Sequence, residues 1–149
     1  MPVVVAKSAG FCMGVNRAVN TALDVAKTAA QQGKKAYSLG ELIHNPAVVD
    51  MLASEGLHAI SSPEEGQDGI LVIRSHGASP QLIAEAAAHA EKIVDCTCPF
   101  VHHVHKLVDA HSKDGAPVII LGDPDHPEIR GIIGWCRGET FVIQREEQG

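Results

Sequence analysis

Short runs of β-branched and aliphatic residues alternate along the chain with longer, alanine-rich segments of helical period. This alternation is typical of parallel strands joined by crossover helices, because each helix returns the chain to the same end of the sheet. The pattern therefore predicts an α/β fold of repeated small units, each a parallel sheet with helices on its faces. The predicted strands are Val3–Ala6, Ala36–Leu39, Leu57–Ile60, Ile70–Ser75, Lys92–Asp95, Val118–Leu121 and Thr140–Ile143.

The helices are predicted from apolar stripes and from their start signals. Apolar residues at positions 15, 18, 19, 22, 23, 26 and 29 have the spacing of one helix face, and Gly33 suits a C-cap. Asn45-Pro46 and Ser79-Pro80 each place a capping side chain before a proline at the first helical position. Cys98-Pro99 and His126-Pro127 predict two further helix starts in the same setting of strand, loop and helix.

The charge and the terminal segment exclude several classes of protein. Twelve Lys and Arg stand against eighteen Asp and Glu, and a net charge of −6 removes the phosphate attraction on which nucleic-acid binders rely. No apolar run approaches the roughly 20 residues that cross a bilayer, and the first residues lack the pattern of a signal peptide. We expect a cytoplasmic protein without nucleic-acid or membrane partners. Its four cysteines then favour metal, cluster or redox roles over disulfides.

Reactive side chains gather in the loops that precede the predicted helices. In open parallel sheets, ligands bind beyond the carboxyl ends of the strands, where these loops lie. The helix N-termini at the same edge carry free N–H groups that favour anions. Two thiols, three imidazoles and a carboxylate there indicate an anionic ligand beside a thiolate-bound metal, with zinc, copper(I) and iron–sulfur clusters all open. These candidates are Cys12, His44, His76, Cys98, His126 and Glu128.

Each cysteine also has a simpler interpretation. Free cysteine is among the most buried residue types, so Cys12 or Cys98 taken alone is more often a small buried hydrophobe than a ligand. We expect Cys96 to be structural, because Cys-x-Cys lacks the usual zinc-ribbon spacing and no Cys-x-x-Cys accompanies it. Cys136 follows the last predicted helix and fits either role.

A second group of histidines looks like a metal cluster in the sequence but lies on a predicted helix. There His102 and His105 share one face, and His103 points elsewhere. We therefore expect these three residues to form a solvated or partly buried helix face.

Five stretches of the chain together match one known family, in the family's order. On these stretches the sequence resembles the N-terminal half of 4-hydroxy-3-methylbut-2-enyl diphosphate reductase, the iron–sulfur enzyme that ends the methylerythritol phosphate route to isoprenoids. They are Gly10-Phe11-Cys12-Met13-Gly14-Val15-Asn16-Arg17-Ala18, Ile43-His44-Asn45, Ser75-His76-Gly77, Asp95-Cys96-Thr97-Cys98-Pro99 with His105 downstream, and His126-Pro127-Glu128.

The resemblance implies a cofactor and a reaction. Cys12 and Cys98 match two of the three cysteines that hold a [4Fe–4S] cluster in the family, and Cys96 occupies a position where the family tolerates a non-ligand. The implied reaction is a two-electron, two-proton reductive dehydroxylation that yields isopentenyl and dimethylallyl diphosphate. The implied electron donor is ferredoxin or flavodoxin.

The resemblance also implies roles for the other loop residues. His44, His76 and His126 match the histidines that bind the diphosphate of a small allylic substrate. Glu128 matches the acid that delivers protons. These roles agree with the chemistry of the residues, since imidazoles and helix N-termini suit a diphosphate and a carboxylic acid protonates a leaving hydroxyl.

The resemblance covers only part of the family's length. The third cluster cysteine and further substrate residues lie in a C-terminal portion of the family, and Cys136 is not assigned to that ligand. We therefore expect the chain to belong to a longer protein and to have little or no activity by itself. The family has three α/β units around a central cluster, of which residues 1–97 would form the first and residues 98–149 the start of the second.

Two other functions remain open from the residues alone. One is a zinc-dependent hydrolase or lyase that uses some of Cys98, His76 and His126 as ligands and Glu128 as general base. The other is a non-catalytic diphosphate-binding module in which the cysteines are only packed. Common nucleotide, esterase and zincin functions lose support, because none of their short motifs is present.

Overall fold

The computed structural model describes residues 2–145. In that range helices and strands alternate, with a 3₁₀ turn at Pro63–Gly66. The helices are α1 (Met13–Gln31), α2 (Pro46–Ser54), α3 (Pro80–His89), α4 (Pro99–His111) and α5 (Pro127–Trp135). The strands are β1 (Ala36–Leu39), β2 (Leu57–Ile60), β3 (Ile70–Ile73), β4 (Lys92–Asp95), β5 (Val118–Leu121) and β6 (Thr140–Ile143).

The strand pairs that the structure describes are all parallel. Strands β1 to β4 form one sheet in the order β2-β1-β3-β4, and β5 and β6 form a second sheet. Strand β1 is paired on both sides, so that Leu39 at its carboxyl end lies opposite Ile60 of β2 and Ile73 of β3. The predicted α/β fold, with parallel sheets flanked by helices, is confirmed. The division into units 1–97 and 98–149 stays a prediction, and residues 146–149 lie outside the described part of the chain.

The four-stranded sheet has a core on both of its faces. Strand β3 is buried along its whole length, and its side chains alternate between the two faces as a strand requires. Ile70 and Val72 pack with α1 and α2 on one face. Leu71 and Ile73 pack on the other face with Ala78 and the buried Ala86 of α3. A strand buried on both faces explains why residues 70–73 read as a continuous apolar run.

Helix α1 covers the sheet with small side chains. Its buried stripe includes Ala18, Ala22, Ala26 and Ala29, which let the helix backbone approach the strands closely. The predicted stripe is confirmed, and Gly33 adopts a positive φ of 66° directly after the helix, as the C-cap prediction requires. Although α1 is 19 residues long, no helix in residues 2–145 is both long and apolar enough to span a bilayer.

The start signals of α2 and α3 are confirmed at the level of side chains. Asn45 accepts a hydrogen bond from Val48 N at 3.4 Å, and Ser79 accepts one from Leu82 N at 3.1 Å. In both helices proline follows the cap at the first position, where no intrahelical N–H is needed. These caps fix where each helix begins and therefore how many residues remain for the preceding loop.

One strand prediction is wrong and a second one is too long. Residues Val3–Ala6 form no strand, and Val3 is 91% exposed, because an apolar β-branched run becomes a strand only where a neighbouring strand supplies its hydrogen bonds. The predicted strand over residues 70–75 ends at Ile73. Ser75 leaves the ladder because its N–H and its hydroxyl both donate to Leu42 O, at 3.1 and 2.9 Å.

We expect Leu71→Ala to lower the free energy of unfolding by about 2–5 kcal/mol, because Leu71 is fully buried and the substitution leaves a cavity. Chemical denaturation measures the change. Leu107→Ala is the matched control: its side chain is 43% exposed on α4, and we expect a loss of under about 1 kcal/mol. Equal losses in the two variants would contradict the packing described for β3.

Candidate functional site

Three loops at the carboxyl ends of strands bring three histidines into contact. His44 follows β1, His76 follows β3 and His126 follows β5. The ring centroids of His44 and His76 are 4.3 Å apart, and those of His126 lie 5.4 Å from His44 and 5.6 Å from His76. The structure thus assembles the three predicted histidines, which are up to 82 positions apart in the chain, into one cluster.

The loops of His44 and His76 are joined by their backbones. Ser75 is buried and donates twice to Leu42 O, once from its N–H and once from its hydroxyl. Leu42 and Ile43 are themselves buried, so the segment before His44 is anchored in the core. Because β1 and β3 are neighbours in the sheet, these bonds hold the two imidazoles side by side beyond the strand ends.

His126 belongs to the start of α5. It is the N-cap of that helix, and its Nδ1 accepts a hydrogen bond from Glu128 N at 3.2 Å. The bond leaves Nε2 as the nitrogen available to a ligand. At the other end of α5, Trp135 Nε1 donates to Ala78 O at 3.0 Å, which ties this helix to the loop that carries His76.

Burial and neighbouring cations keep His76 neutral. Desolvation, together with the charges of His44, Arg74 and His126, lowers the pKa of His76 to about 4. Its Nδ1 is buried and has no hydrogen-bond partner within residues 2–145. A ligand with several anionic oxygens would offset the repulsion among these groups, since an opposite charge nearby favours the protonated imidazole.

Arg74 is a candidate residue that the sequence analysis missed. Its guanidinium lies against Gly40, where a Cβ would be 2.5 Å from Nη1. Desolvation, and then the charge of Arg130, lower the pKa of Arg74, although it remains a cation at neutral pH. Its position in the chain between the end of a buried strand and His76 could have identified it as a candidate, because side chains there lie at the edge of the sheet where ligands bind.

The backbone of Glu128 fixes the position of this residue beside His126. The residue lies in the first turn of α5 and is half-buried, and its N–H is bonded to His126. This places a carboxylate two residues from a histidine of the cluster. A carboxylic acid in that position has the chemistry of a general acid for a group bound at the histidines.

The two predicted ligand cysteines both stand at helix N-termini. Cys12 is the N-cap of α1 and is exposed, and Cys98 is the N-cap of α4 and is half-buried. A Cβ on Gly14 would lie 2.5 Å from Cys98 Sγ, so only glycine lets the first turn of α1 meet this sulfur. Arg17 donates to Thr97 O at 2.9 Å and holds the same two elements together.

These thiols have the chemistry of metal ligands. Helix N-termini favour thiolates, and paired thiolates suit iron–sulfur clusters and other soft metals. Within residues 2–145, however, no three His, Cys, Asp or Glu side chains are arranged to hold a metal ion. Cys98, His76 and His126 accordingly form no three-ligand group within that range.

The other cysteines have structural surroundings. Cys96 is fully buried in the core beside α1, and burial raises its pKa to about 11, so it remains a thiol at neutral pH. This agrees with the structural role expected for it. Cys136 is half-buried after α5 and its Sγ donates to Ile132 O at 3.3 Å.

The prediction for the histidines of α4 is only partly right. His103 is exposed and His102 is half-buried, as expected of a helix face. His105 is instead 3% exposed and stacks on Trp135, with ring centroids 5.4 Å apart. The difference arises because α5 packs against α4 and covers the face on which His105 lies.

Comparisons with known proteins give the family of the chain. The family model described as LytB protein matches residues 3–149. The chain belongs to the LytB family. This LytB chain is 39% identical over 147 residues to the 4-hydroxy-3-methylbut-2-enyl diphosphate reductase of Alkaliphilus oremlandii, covering 99% of the chain and 52% of the relative. It is 41% identical over 143 residues to the reductase of the same name from Geotalea uraniireducens, covering 96% of the chain and 49% of the relative.

Solved structures agree with these relatives. A structure of (E)-4-hydroxy-3-methyl-but-2-enyl diphosphate reductase superposes with a TM-score of 0.77 at 35% identity, covering 97% of the LytB chain and 52% of that protein. The reductase from Plasmodium falciparum gives a TM-score of 0.87 at 29% identity, covering 95% and 44%. The chain spans about half the length of the curated relatives it matches.

We expect His76 to titrate in the folded protein near pH 4, well below the ordinary value of 6.5. The unfolded chain then binds the extra proton first, so this residue's contribution to stability is present above about pH 6.5 and is lost as the pH falls towards 4. Proton NMR of the Cε1–H resonance measures the titration. In His76→Asn, the fall in stability over this pH range should be smaller. A native His76 pKa above 6 would contradict the described burial.

Proposed function

We propose that the protein to which this chain belongs is a 4-hydroxy-3-methylbut-2-enyl diphosphate reductase. It would remove the hydroxyl group of its allylic substrate reductively and release isopentenyl and dimethylallyl diphosphate. The observation that carries the proposal is the cluster of His44, His76 and His126, with ring centroids 4.3–5.6 Å apart. It supports a multivalent anion site in a chain whose relatives carry that reductase name.

The histidine cluster and Arg74 would bind the diphosphate. At neutral pH, Arg74 supplies a fixed cation and His76 a neutral imidazole beside it. Binding of the anion would favour the protonated form of His76 and let this imidazole become a charged donor to the anion's oxygens. The diphosphate end of the substrate would thus be held in one place relative to the thiols.

Cys12 and Cys98 would hold two irons of a [4Fe–4S] cluster. Their positions at the N-termini of α1 and α4, with Cys98 Sγ against Gly14, suit thiolates that bind soft metals. A third thiolate would come from the part of the protein beyond this chain. When bound, such a cluster supplies single electrons and an iron that attracts an oxygen ligand.

Glu128 would act as the proton donor. The reaction adds two electrons and two protons, breaks the carbon–oxygen bond of the allylic alcohol, forms a carbon–hydrogen bond and releases water. A carboxylic acid near the leaving oxygen lowers the barrier by giving that oxygen its proton as the bond breaks. The place of Glu128 in the first turn of α5, next to the histidine cluster, supports this role.

The remaining parts of the proposal concern the whole protein. Ferredoxin or flavodoxin would deliver the electrons, and the enzyme would work in the cytoplasm. Because the chain spans about half the length of its curated relatives, we expect the 149-residue chain alone to bind diphosphate weakly and to show little or no turnover.

The proposal is tested by iron, acid-labile sulfide and zinc analysis of the full-length protein purified without oxygen, together with reductase assays. We expect iron and sulfide in equal amounts, and their loss in Cys12→Ser and Cys98→Ser, because each removes a thiolate ligand. Cys136→Ser is the matched control and should keep the cluster, since this thiol caps α5. Zinc without sulfide, together with absence of reductase activity, would overturn the proposal.

Substitution of the acid separates proton delivery from binding. In Glu128→Gln we expect kcat to fall by about 10²-fold or more while the cluster content and substrate affinity remain near those of the wild type. Glu85→Gln on the exposed face of α3 serves as the control and should leave kcat unchanged. Full turnover by Glu128→Gln would assign the proton to another group.

A further inference from the structure

His105 is enclosed by the elements that carry the site. It lies two residues after the exposed His103 on α4, yet only 3% of its surface is accessible. Its ring stacks on Trp135 of α5, with an angle of 19° between the planes and 5.4 Å between the centroids. Trp135 in turn donates to Ala78 O, so the stacked pair is attached to the loop of His76.

The ring of His105 fills the space that two glycines leave open. A Cβ on Gly77 would lie 2.6 Å from His105 Cε1, and a Cβ on Gly131 would lie 3.4 Å from His105 Nε2. Gly77 directly follows His76 and has a φ of +76°, which L side chains rarely adopt. One ring therefore contacts both the loop of His76 and helix α5, whose N-cap is His126, while its own helix α4 has Cys98 as N-cap.

Packing alone does not explain why a polar ring occupies this position. His105 Nε2 is buried without a hydrogen-bond partner in the described residues, and a leucine would fill similar space without that penalty. The nitrogen borders the same gap as the His76 carbonyl, since a Cβ on Gly131 would lie 3.4 Å from Nε2 and 3.6 Å from His76 O. Burial lowers the pKa of His105, and the charge of His102 lowers it further while Asp95 raises it, so the ring is mainly neutral at pH 7.

We propose that His105 is a positioning residue that sets the place of the His76 imidazole in the anion site. This inference rests on the proposed function, in which His76 binds diphosphate. The ring supports the backbone of Gly77 from one side, and its Nε2 borders the space at Gly131 that the His76 carbonyl also borders. Because small displacements of a binding group weaken the contacts it makes, loss of this support lowers anion affinity without removing any ligand.

The test measures binding of inorganic diphosphate to the full-length protein by calorimetry. We expect His105→Leu to weaken the Kd about tenfold, because it keeps volume but removes the nitrogen and the flat ring. His105→Gln keeps an amide nitrogen near the place of Nε2, and we expect its Kd within about threefold of the wild type. His103→Leu, on the exposed side of the same helix, is the control and should leave the Kd unchanged. Thermal unfolding reports whether each variant is folded.

A double-mutant cycle separates positioning from general damage. In a His76→Asn background, His105→Leu should cause no further loss of affinity, because its effect passes through the imidazole that is already absent. Gly131→Ala gives a second route if His105→Leu does not fold. Alanine is favoured in a helix, and its methyl group would enter the gap between His105 Nε2 and His76 O. We expect Gly131→Ala to weaken diphosphate binding several-fold, and we expect no such loss of affinity in the His76→Asn background.

The outcomes distinguish this inference from the function on which it rests. Additive losses in the cycle, equal losses from His105→Leu and His105→Gln, or an unchanged Kd in the folded variants would overturn the positioning role while wild-type binding and reductase activity persist. A wild-type protein that neither binds diphosphate nor reduces the allylic substrate would overturn the proposed function itself.

Discussion

The parallel pairing of β1 with β3 is the constraint on which the site depends. Parallel strands end at the same edge of a sheet, so the loops after these two strands emerge side by side. The two hydrogen bonds from Ser75 to Leu42 O convert this neighbourhood into a fixed spacing between His44 and His76. A shift of register by one residue would move both the core side chains of β3 and the loop of His76.

The histidine cluster illustrates how a fold holds ionisable groups together against their mutual repulsion. Rings 4.3 Å apart cannot all carry a charge without mutual repulsion, and burial makes His76 the ring that gives up its proton. The folded core supplies the free energy that holds these groups together. An anion bound beside these rings would reverse this balance, because neighbouring positive groups would then attract it instead of only repelling one another.

Much of the fold and part of the site could be predicted from the sequence, because short sequence signals mark where these elements begin and end. Proline after a capping residue marks where α2 and α3 begin, and a loop after a parallel strand must lie at the functional edge. The meeting of His44 with His76 therefore followed from position along the chain. By contrast, the failed strand at Val3–Ala6 depends on whether a partner strand is present, which no local pattern reports.

Other features depended on packing between distant elements. The burial of His105 requires α5 to cover α4, and the space for its ring exists because positions 77 and 131 are glycine. The place of Arg74 depends in the same way on the backbone at Gly40. Such contacts join residues far apart in sequence, so periodicity along one helix does not contain them.

The order β2-β1-β3-β4 also bears on how the protein folds. The segment with α2, β2 and the 3₁₀ turn separates β1 from β3 in the chain, although Ala36 pairs with Ile70 in the sheet. Such non-local closure carries an entropic cost that slows folding. The contact of His44 with His76 requires that pairing, so a chain in which β1 and β3 are still unpaired leaves these two imidazoles apart and open to solvent.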